Sequence, residues 1–262
     1  MPLLHAAGAV LGWLAFLLSP TYRRRFLENA AQAGYGFAQV RPAVGQAGRM
    51  VGEVPRLWFG AMPPVEWEGV ELIEMLRAQG RGIVFLTPHL GCFEVAASSY
   101  AQRFGPITVL YRPPRKAWLR DVVGTARSRP NLSAAPTTLA GVRQMLRALK
   151  AGDAVGLLPD QVPPQGLGVW APFFGRDAYT MTLPARLVQQ TGAALLVVWG
   201  ERLPRGRGYR VHVRHITDEL ARDARAAATQ VNAEMERIVR AGPGQYLWGY
   251  ARYKQPREEL AT

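Results

Sequence analysis

Hydrophobic spacing takes three forms along the chain. Residues 3 to 18, "LLHAAGAVLGWLAFLL", are almost unbroken apolar, and "YRRR" follows at 22 to 25. From 20 to 60 the apolar positions recur at helical spacing in "FLENAAQAGYGFA" and "AGRMVGEVPRLWFGA", which predicts helical hairpins. Pro42, Pro55 and "MPP" at 62 to 64 punctuate them. After Val65 short apolar runs alternate with amphipathic stretches.

That third region reads as strand "VEWEG", helix "VELIEMLRAQG", strand "GIVFLT" and a helix of roughly 91 to 103. Strand "PITVLYR", helix "KAWLRDVVGTARS", helix "TTLAGVRQMLRALKAG" and strand "AVGLLP" continue it. A Pro/Gly-rich loop at 163 to 176 precedes a helix of about 180 to 191. "AALLVVWGERL" and "GYRVHVRHI" then pair as strands, and a long helix covers about 217 to 241. Repeated strand–helix units predict an α/β fold: one domain with a largely parallel or mixed sheet covered by helices. The expected division is an anchoring or interfacial helix at 1–20, a helical region at 21–64 and the α/β domain at 65–262.

In such sheets reactive side chains gather beyond the carboxyl ends of the strands. Three predicted strands end in candidate chemistry: "GIVFLT" in Pro88-His89, "ITVLY" in Arg112-Pro113-Pro114, and "AVGLLP" in Asp160-Gln161. If those strands are parallel neighbours, His89, Arg112 and Asp160 meet on one rim.

Composition narrows the classes. With 48% hydrophobic and 19% charged residues the 262-residue chain is globular rather than disordered. The formal charge is +13, and lysine occurs only at Lys116, Lys150 and Lys254, so 29 of the 32 basic residues are arginine. Such a surface suits an anionic partner: a phosphorylated lipid, an acidic carrier protein or nucleic acid. High genomic GC content also enriches arginine, so the positive sign weighs more than the choice of residue. One cysteine, Cys92, excludes an internal disulfide and a zinc–thiolate cluster. As a helix, residues 3 to 18 would extend about 24 Å against roughly 30 Å of hydrocarbon. Basic residues after the apolar run, not before it, argue against a signal peptide and place the downstream chain beside anionic headgroups on the cytoplasmic side. The reading is a membrane anchor or deeply inserted interfacial helix; the rival is a core helix with a basic end.

His89 and Glu94 stand five residues apart across a strand-to-helix junction. Glu94 within reach of the imidazole would orient it as a general base, and helix N–H groups near Gly91 would face a developing oxyanion. His-x4-Glu is by itself a weak pattern, and a satisfied loop histidine competes with it. Cys92 is a rival nucleophile or a packing residue. There is no Gly-x-Ser-x-Gly elbow. Arg112 suits a phosphate or a surface strand end, Asp160 suits a turn, and Arg186 suits an ordinary helix surface. His212 and His215 fall on opposite strand faces, so no metal site is predicted. Neither a phosphate loop, a dinucleotide fingerprint nor a nucleic-acid module is present, and no cofactor or nucleic-acid partner is expected.

Taken in order, "HLGCFE", "LYRPP" and "GLLPDQVPPQGLGVWAPFFGRDAYTMTLPARLVQQTGA" resemble the lipid A biosynthesis lauroyl/myristoyl acyltransferases of the wider lysophospholipid acyltransferase group. The resemblance runs from "SPTYRRRFLENAAQAG" to "PGQYLWGYARYK". It implies transfer of a fatty acyl chain from an acyl carrier protein thioester to a hydroxyl of a phosphorylated lipid A precursor. The setting implied is the cytoplasmic face of the bacterial inner membrane, with neither a metal nor a covalent enzyme intermediate. His89 would be the base and Glu94 its orienter. Arg112 would bind phosphate on the acceptor or on the carrier's phosphopantetheine, Asp160 would shape the pocket or an arginine network, and Arg186 would line the site. The chain departs from the family pattern at Cys92, where many members have Asn, and at "GYARYK", where many have a His-Arg-Arg-like run. The alternatives are an acyltransferase for another glycolipid or an ornithine lipid, a thioester hydrolase using His89 or Cys92, and a basic protein that only binds anionic surfaces.

Overall fold

Residues 83 to 86 alternate strictly between two cores. Ile83 and Phe85 face one hydrophobic cluster, Val84 and Leu86 the other, as the two-residue period of a strand requires. All four are buried, so this strand lies in the middle of a sheet covered on both faces. The computed structural model describes residues 1–111, 129–216 and 219–258.

In chain order the elements are α1 (Pro2–Leu18), α2 (Pro20–Gln32), α3 (Phe37–Gly52), α4 (Val54–Phe59), β1 (Val65–Glu68), α5 (Val70–Ala78), β2 (Ile83–Leu86) and α6 (Phe93–Phe104). Next come β3 (Ile107–Tyr111), β4 (Leu132–Pro136), α7 (Leu139–Lys150), β5 (Ala154–Leu157), β6 (Gly168–Phe173) and β7 (Arg176–Met181). The last are α8 (Leu183–Thr191), β8 (Ala194–Arg202), β9 (Tyr209–His215) and α9 (Ala224–Ala241). The main sheet has the order β1-β9-β8-β2-β5-β3-β4, and β6-β7 form a separate antiparallel hairpin. Among the described residues, only the β8–β9 pair of the main sheet is antiparallel. The α/β class and the mostly parallel sheet are as the alternation predicted.

Two differences have local causes. β4, "LSAAP", has too few branched or aromatic residues to read as a strand. The hairpin β6–β7 falls largely in the expected 163–176 loop, because Pro172 and Gly175 mask its two-residue alternation. The expected helix at "KAWLRDVVGTARS" falls outside the described residues.

The two faces divide the labour. α5 and α6 cover one, with Ile73, Leu76, Val95 and Tyr100 in its core. α7, α8 and α9 cover the other, through Met145, Leu149, Leu187, Met235 and Val239. At the amino terminus α1 lies against α3 with glycine at the crossing. A Cβ on Gly48 would strike the carbonyl of Gly8 and the backbone of Gly12. The opposite side of α1 exposes Leu3, Val10, Leu11, Leu14, Leu17 and Leu18. Among the described residues no single helix is long and apolar enough to cross a membrane; α1 and α2 reach that length only as a pair bent by 97°.

Candidate active site

β2 and β5 are parallel neighbours in register from Ile83–Ala154 to Leu86–Leu157, and β3 runs parallel on the far side of β5. Their carboxyl ends therefore open onto one rim, where the loop leaving β2 meets the loop leaving β5. His89 Nδ1 lies 2.8 Å from Asp160 Oδ1, and the His89 backbone N–H donates to Asp160 Oδ2 at 2.8 Å. One carboxylate thus fixes both the ring and the loop that carries it. Accepting at Oδ1 sets the tautomer with the proton on Nδ1, which leaves Nε2 as the basic atom. Gln161 Nε2 stands 3.0 Å from that nitrogen. Phe93 packs edge-on against the ring, with centroids 5.2 Å apart.

Burial is uneven across the pair. The Asp160 side chain is 2% exposed and that of His89 15%. Burial alone would raise the Asp160 carboxyl, but the charge of His89, two hydrogen bonds from it and the nearby Arg252 bring it below the usual carboxylate range. The same buried charge helps push the Tyr246 phenol up, after burial itself.

The carboxylate hydrogen-bonded to the His89 ring is that of Asp160, where the sequence pointed to Glu94. Glu94 is in the first turn of α6, on the wall of an apolar pocket beneath that helix. The difference is topological: five residues of sequence bring Glu94 near, but pairing of β2 with β5 brings Asp160 from 71 residues away straight onto the ring. Arg112 falls outside the described residues. Arg186 is exposed on α8, and among the described residues no hydrogen bond or ion pair joins it to His89 or Asp160. The amides proposed for an oxyanion near Gly91 are already used. Leu90 N donates to Pro88 O, Gly91 N to Gln245 O and Cys92 N to Gly200 O. Cys92 is buried, and burial together with the negative charge of Glu53 pushes its thiol well up, so a thiolate nucleophile is disfavoured there.

The pocket and the open solvent at its mouth together hold about 690 Å³ of empty space. Phe93, Ala96, Ala97 and Tyr100 line it from α6 at helical spacing, and Phe85, Val109, Gly156 and Val198 line it from the sheet. Gly156 creates much of this room: in the middle of β5 it has no side chain, and an added Cβ would press on Val109. Thr87 and Glu94 are its polar positions. Among the described residues no group of acidic, histidine or cysteine side chains is arranged to hold a metal. Phe93, which lines the pocket, also packs on the His89 ring, so a partly exposed imidazole stands beside an apolar slot, an arrangement that can abstract a proton next to a hydrophobic substrate.

Sequence reasoning placed Gln161 at the strand end beside Asp160 without giving it a role, and it missed Tyr246. Gln161 had a usable signal, since it comes directly after Asp160 in "LPDQ" at a strand end; Tyr246 had none.

Residues 39–255 match the model of the bacterial lipid A biosynthesis acyltransferase family. Three Escherichia coli (strain K12) proteins are similar to the chain. The lipid A biosynthesis lauroyltransferase is 30% identical over 193 residues, 71% of this chain and 60% of the relative. The palmitoleoyltransferase is 27% identical over 200 residues, 76% and 62%. The myristoyltransferase is 26% identical over 191 residues, 71% and 58%. The matched part of the chain spans about three fifths of the length of these relatives.

Proposed function

The chain belongs to the bacterial lipid A biosynthesis acyltransferase family, and on that premise we propose that it transfers a fatty acyl chain from an acyl carrier protein thioester to a hydroxyl of a phosphorylated lipid A precursor. The observation that carries this reading is the His89–Asp160 pair at the rim of the apolar slot. The acyl chain enters the slot between α6 and the sheet, which brings its thioester carbonyl to His89. The acceptor hydroxyl replaces Gln161 at Nε2. His89 takes the hydroxyl proton as the oxygen attacks the carbonyl carbon, and the tetrahedral intermediate collapses with loss of the thiolate. Nε2 then returns the proton to the sulfur, so the products are an ester and the free carrier thiol. Asp160 holds the imidazole in the tautomer this requires.

Oxyanion stabilisation falls to the first-turn amides of α6. Glu94, on the slot wall, and Arg112 serve the acceptor side, with Arg112 on its phosphate. The exposed leucines of α1, followed by Arg23, Arg24 and Arg25, suit insertion into the cytoplasmic leaflet of the inner membrane with the arginines among anionic headgroups. The +13 charge suits both an acidic carrier and a phosphorylated lipid.

The test is product analysis by mass spectrometry in mixed micelles, with acyl carrier protein thioesters of several chain lengths and a tetra-acylated, Kdo-bearing lipid A precursor. A product one acyl ester heavier supports the reading. Free fatty acid that forms at the same rate without acceptor would replace it with thioester hydrolysis. Ester formation only on another glycolipid or an ornithine lipid would reassign the acceptor.

A further inference from the structure

A second buried ion pair fastens the loop that carries His89. Arg202 ends β8 and is 4% exposed; Glu53 comes directly after α3 and is fully buried. Arg202 Nη2 donates to Glu53 Oε1 at 2.6 Å and Nε donates to Glu53 Oε2 at 2.8 Å, the two-pronged geometry of a guanidinium on a carboxylate. Nη2 also donates to the carbonyl of Gly91 at 2.6 Å, and Nη1 donates to Gln46 Oε1 at 3.2 Å.

Other elements close around the pair. The Tyr209 hydroxyl donates to Glu53 Oε2 at 2.7 Å, and His5 Nε2 of α1 lies 3.2 Å from the same oxygen. Gln245 brackets the Arg202 backbone: it accepts from Arg202 N at 2.9 Å and donates to Arg202 O at 3.1 Å. The Gln245 carbonyl takes the Gly91 N–H at 3.1 Å. Both backbone groups of Gly91, two residues after His89, are therefore held by this network. Gly91 has φ 61°, and a Cβ there would collide with the Gly200 carbonyl, so the loop is also pressed against β8.

A buried ion pair is no better for stability than apolar residues of the same volume, because desolvation offsets the attraction. What apolar residues cannot supply is a directed donor to the Gly91 carbonyl. We propose that Arg202, oriented by Glu53, is a positioning residue for the proposed base. It sets the backbone of the His89 loop, and through Glu53, Gln46 and His5 it ties that loop to the seating of α1 and α3. The inference rests on the proposed function only for its kinetic readout.

The test uses the full chain, with the double variant Glu53→Leu/Arg202→Met and the single variant Arg202→Lys. Thermal midpoint, kcat, acceptor KM and hydrogen exchange at the Gly91 amide are measured for each. The double variant is expected to keep its midpoint, to lose about 10²-fold in kcat from a displaced loop, and to keep acceptor KM. Exchange at the Gly91 amide speeds up. Wild-type kcat and wild-type Gly91 protection in a folded double variant would overturn the proposal. If the double variant does not fold, Arg202→Lys decides: it keeps the charge and loses the fork, and normal kcat with normal Gly91 protection would overturn the proposal. Should the wild type show no acyl transfer, the proposed function fails by itself, and faster or unchanged Gly91 exchange still supports or overturns the positioning role.

Discussion

Two buried acid–base pairs flank residues 89 to 92, and they differ in what they leave open. In His89–Asp160 the acid is sealed and the base is 15% exposed, with Nε2 turned to a displaceable Gln161. In Arg202–Glu53 both side chains are sealed, at 2% and 1% exposure, and the guanidinium's contacts are all internal. An imidazole can exchange its proton near neutral pH, whereas a guanidinium keeps its charge. On the proposed reading, the same pairing chemistry yields a proton acceptor on one side of the loop and a fixed strut on the other. Function depends on which partner titrates and which face is open, not on burial alone.

The contrast breaks most sharply at the open pair. His89→Ala should cost about 10³-fold in kcat, the contribution of a positioned general base, and should also lower the thermal midpoint, because it leaves the buried Asp160 carboxylate without its ring partner. Asp160→Asn, which loses the tautomer lock, should fall between that variant and wild type in the same assay. At the sealed pair the ranking inverts. Glu53→Leu alone strands the Arg202 charge and should cost about 3–5 kcal/mol of stability, read from denaturant unfolding.

Acid separates the pairs further. Burial would raise the Glu53 carboxyl, but hydrogen bonds and charge from Arg202, with His5 and Tyr209, hold it at about 2 against an ordinary 4.5. A carboxyl lowered by folding contributes stability that is full above its unfolded value and is lost as pH falls through the folded one. Unfolding tracked by circular dichroism should therefore show stability falling between about pH 4.5 and 2, and Glu53→Gln should flatten that limb. Asp160, also lowered, adds to the limb in the same direction.

Smaller effects sharpen the picture of the open side. Gly156→Val fills the slot between α6 and β5 and should turn donor preference towards shorter acyl chains by roughly tenfold, read from competing thioesters. Gln161→Ala removes a competitor for Nε2. The hydrogen bond it forfeits is worth about 1 kcal/mol, so acceptor KM should fall a few-fold and kcat should change by less than tenfold.

The sequence displayed the rim of the site but not its pairings. Apolar runs ending in "TPH" and "LPDQ" located His89 and Asp160 because strand ends are local signals. Their meeting depends on β2 pairing with β5, a fact held by register between segments 71 residues apart. The nearer Glu94 consequently looked like the orienter. Glu53 and Arg202 are separated by 149 residues and gave no local sign at all, since a single charged residue at an element's end reads as surface. The amphipathic α7 and the alternation along β9 were legible because burial on one side leaves a period, and β8, buried almost throughout, was legible as a continuous apolar run. In β6 and β7 proline and glycine erased it.

The most direct measurement is single-turnover ester formation from acyl carrier protein thioester and lipid A precursor by the wild type, His89→Ala and Asp160→Asn, with folding of each checked by its thermal midpoint. A general base at His89 predicts rapid ester formation by the wild type, near-complete loss in folded His89→Ala and an intermediate rate in Asp160→Asn. Ester formation at the wild-type rate by folded His89→Ala would contradict it, and the histidine at the end of β2 would then hold the loop without moving a proton.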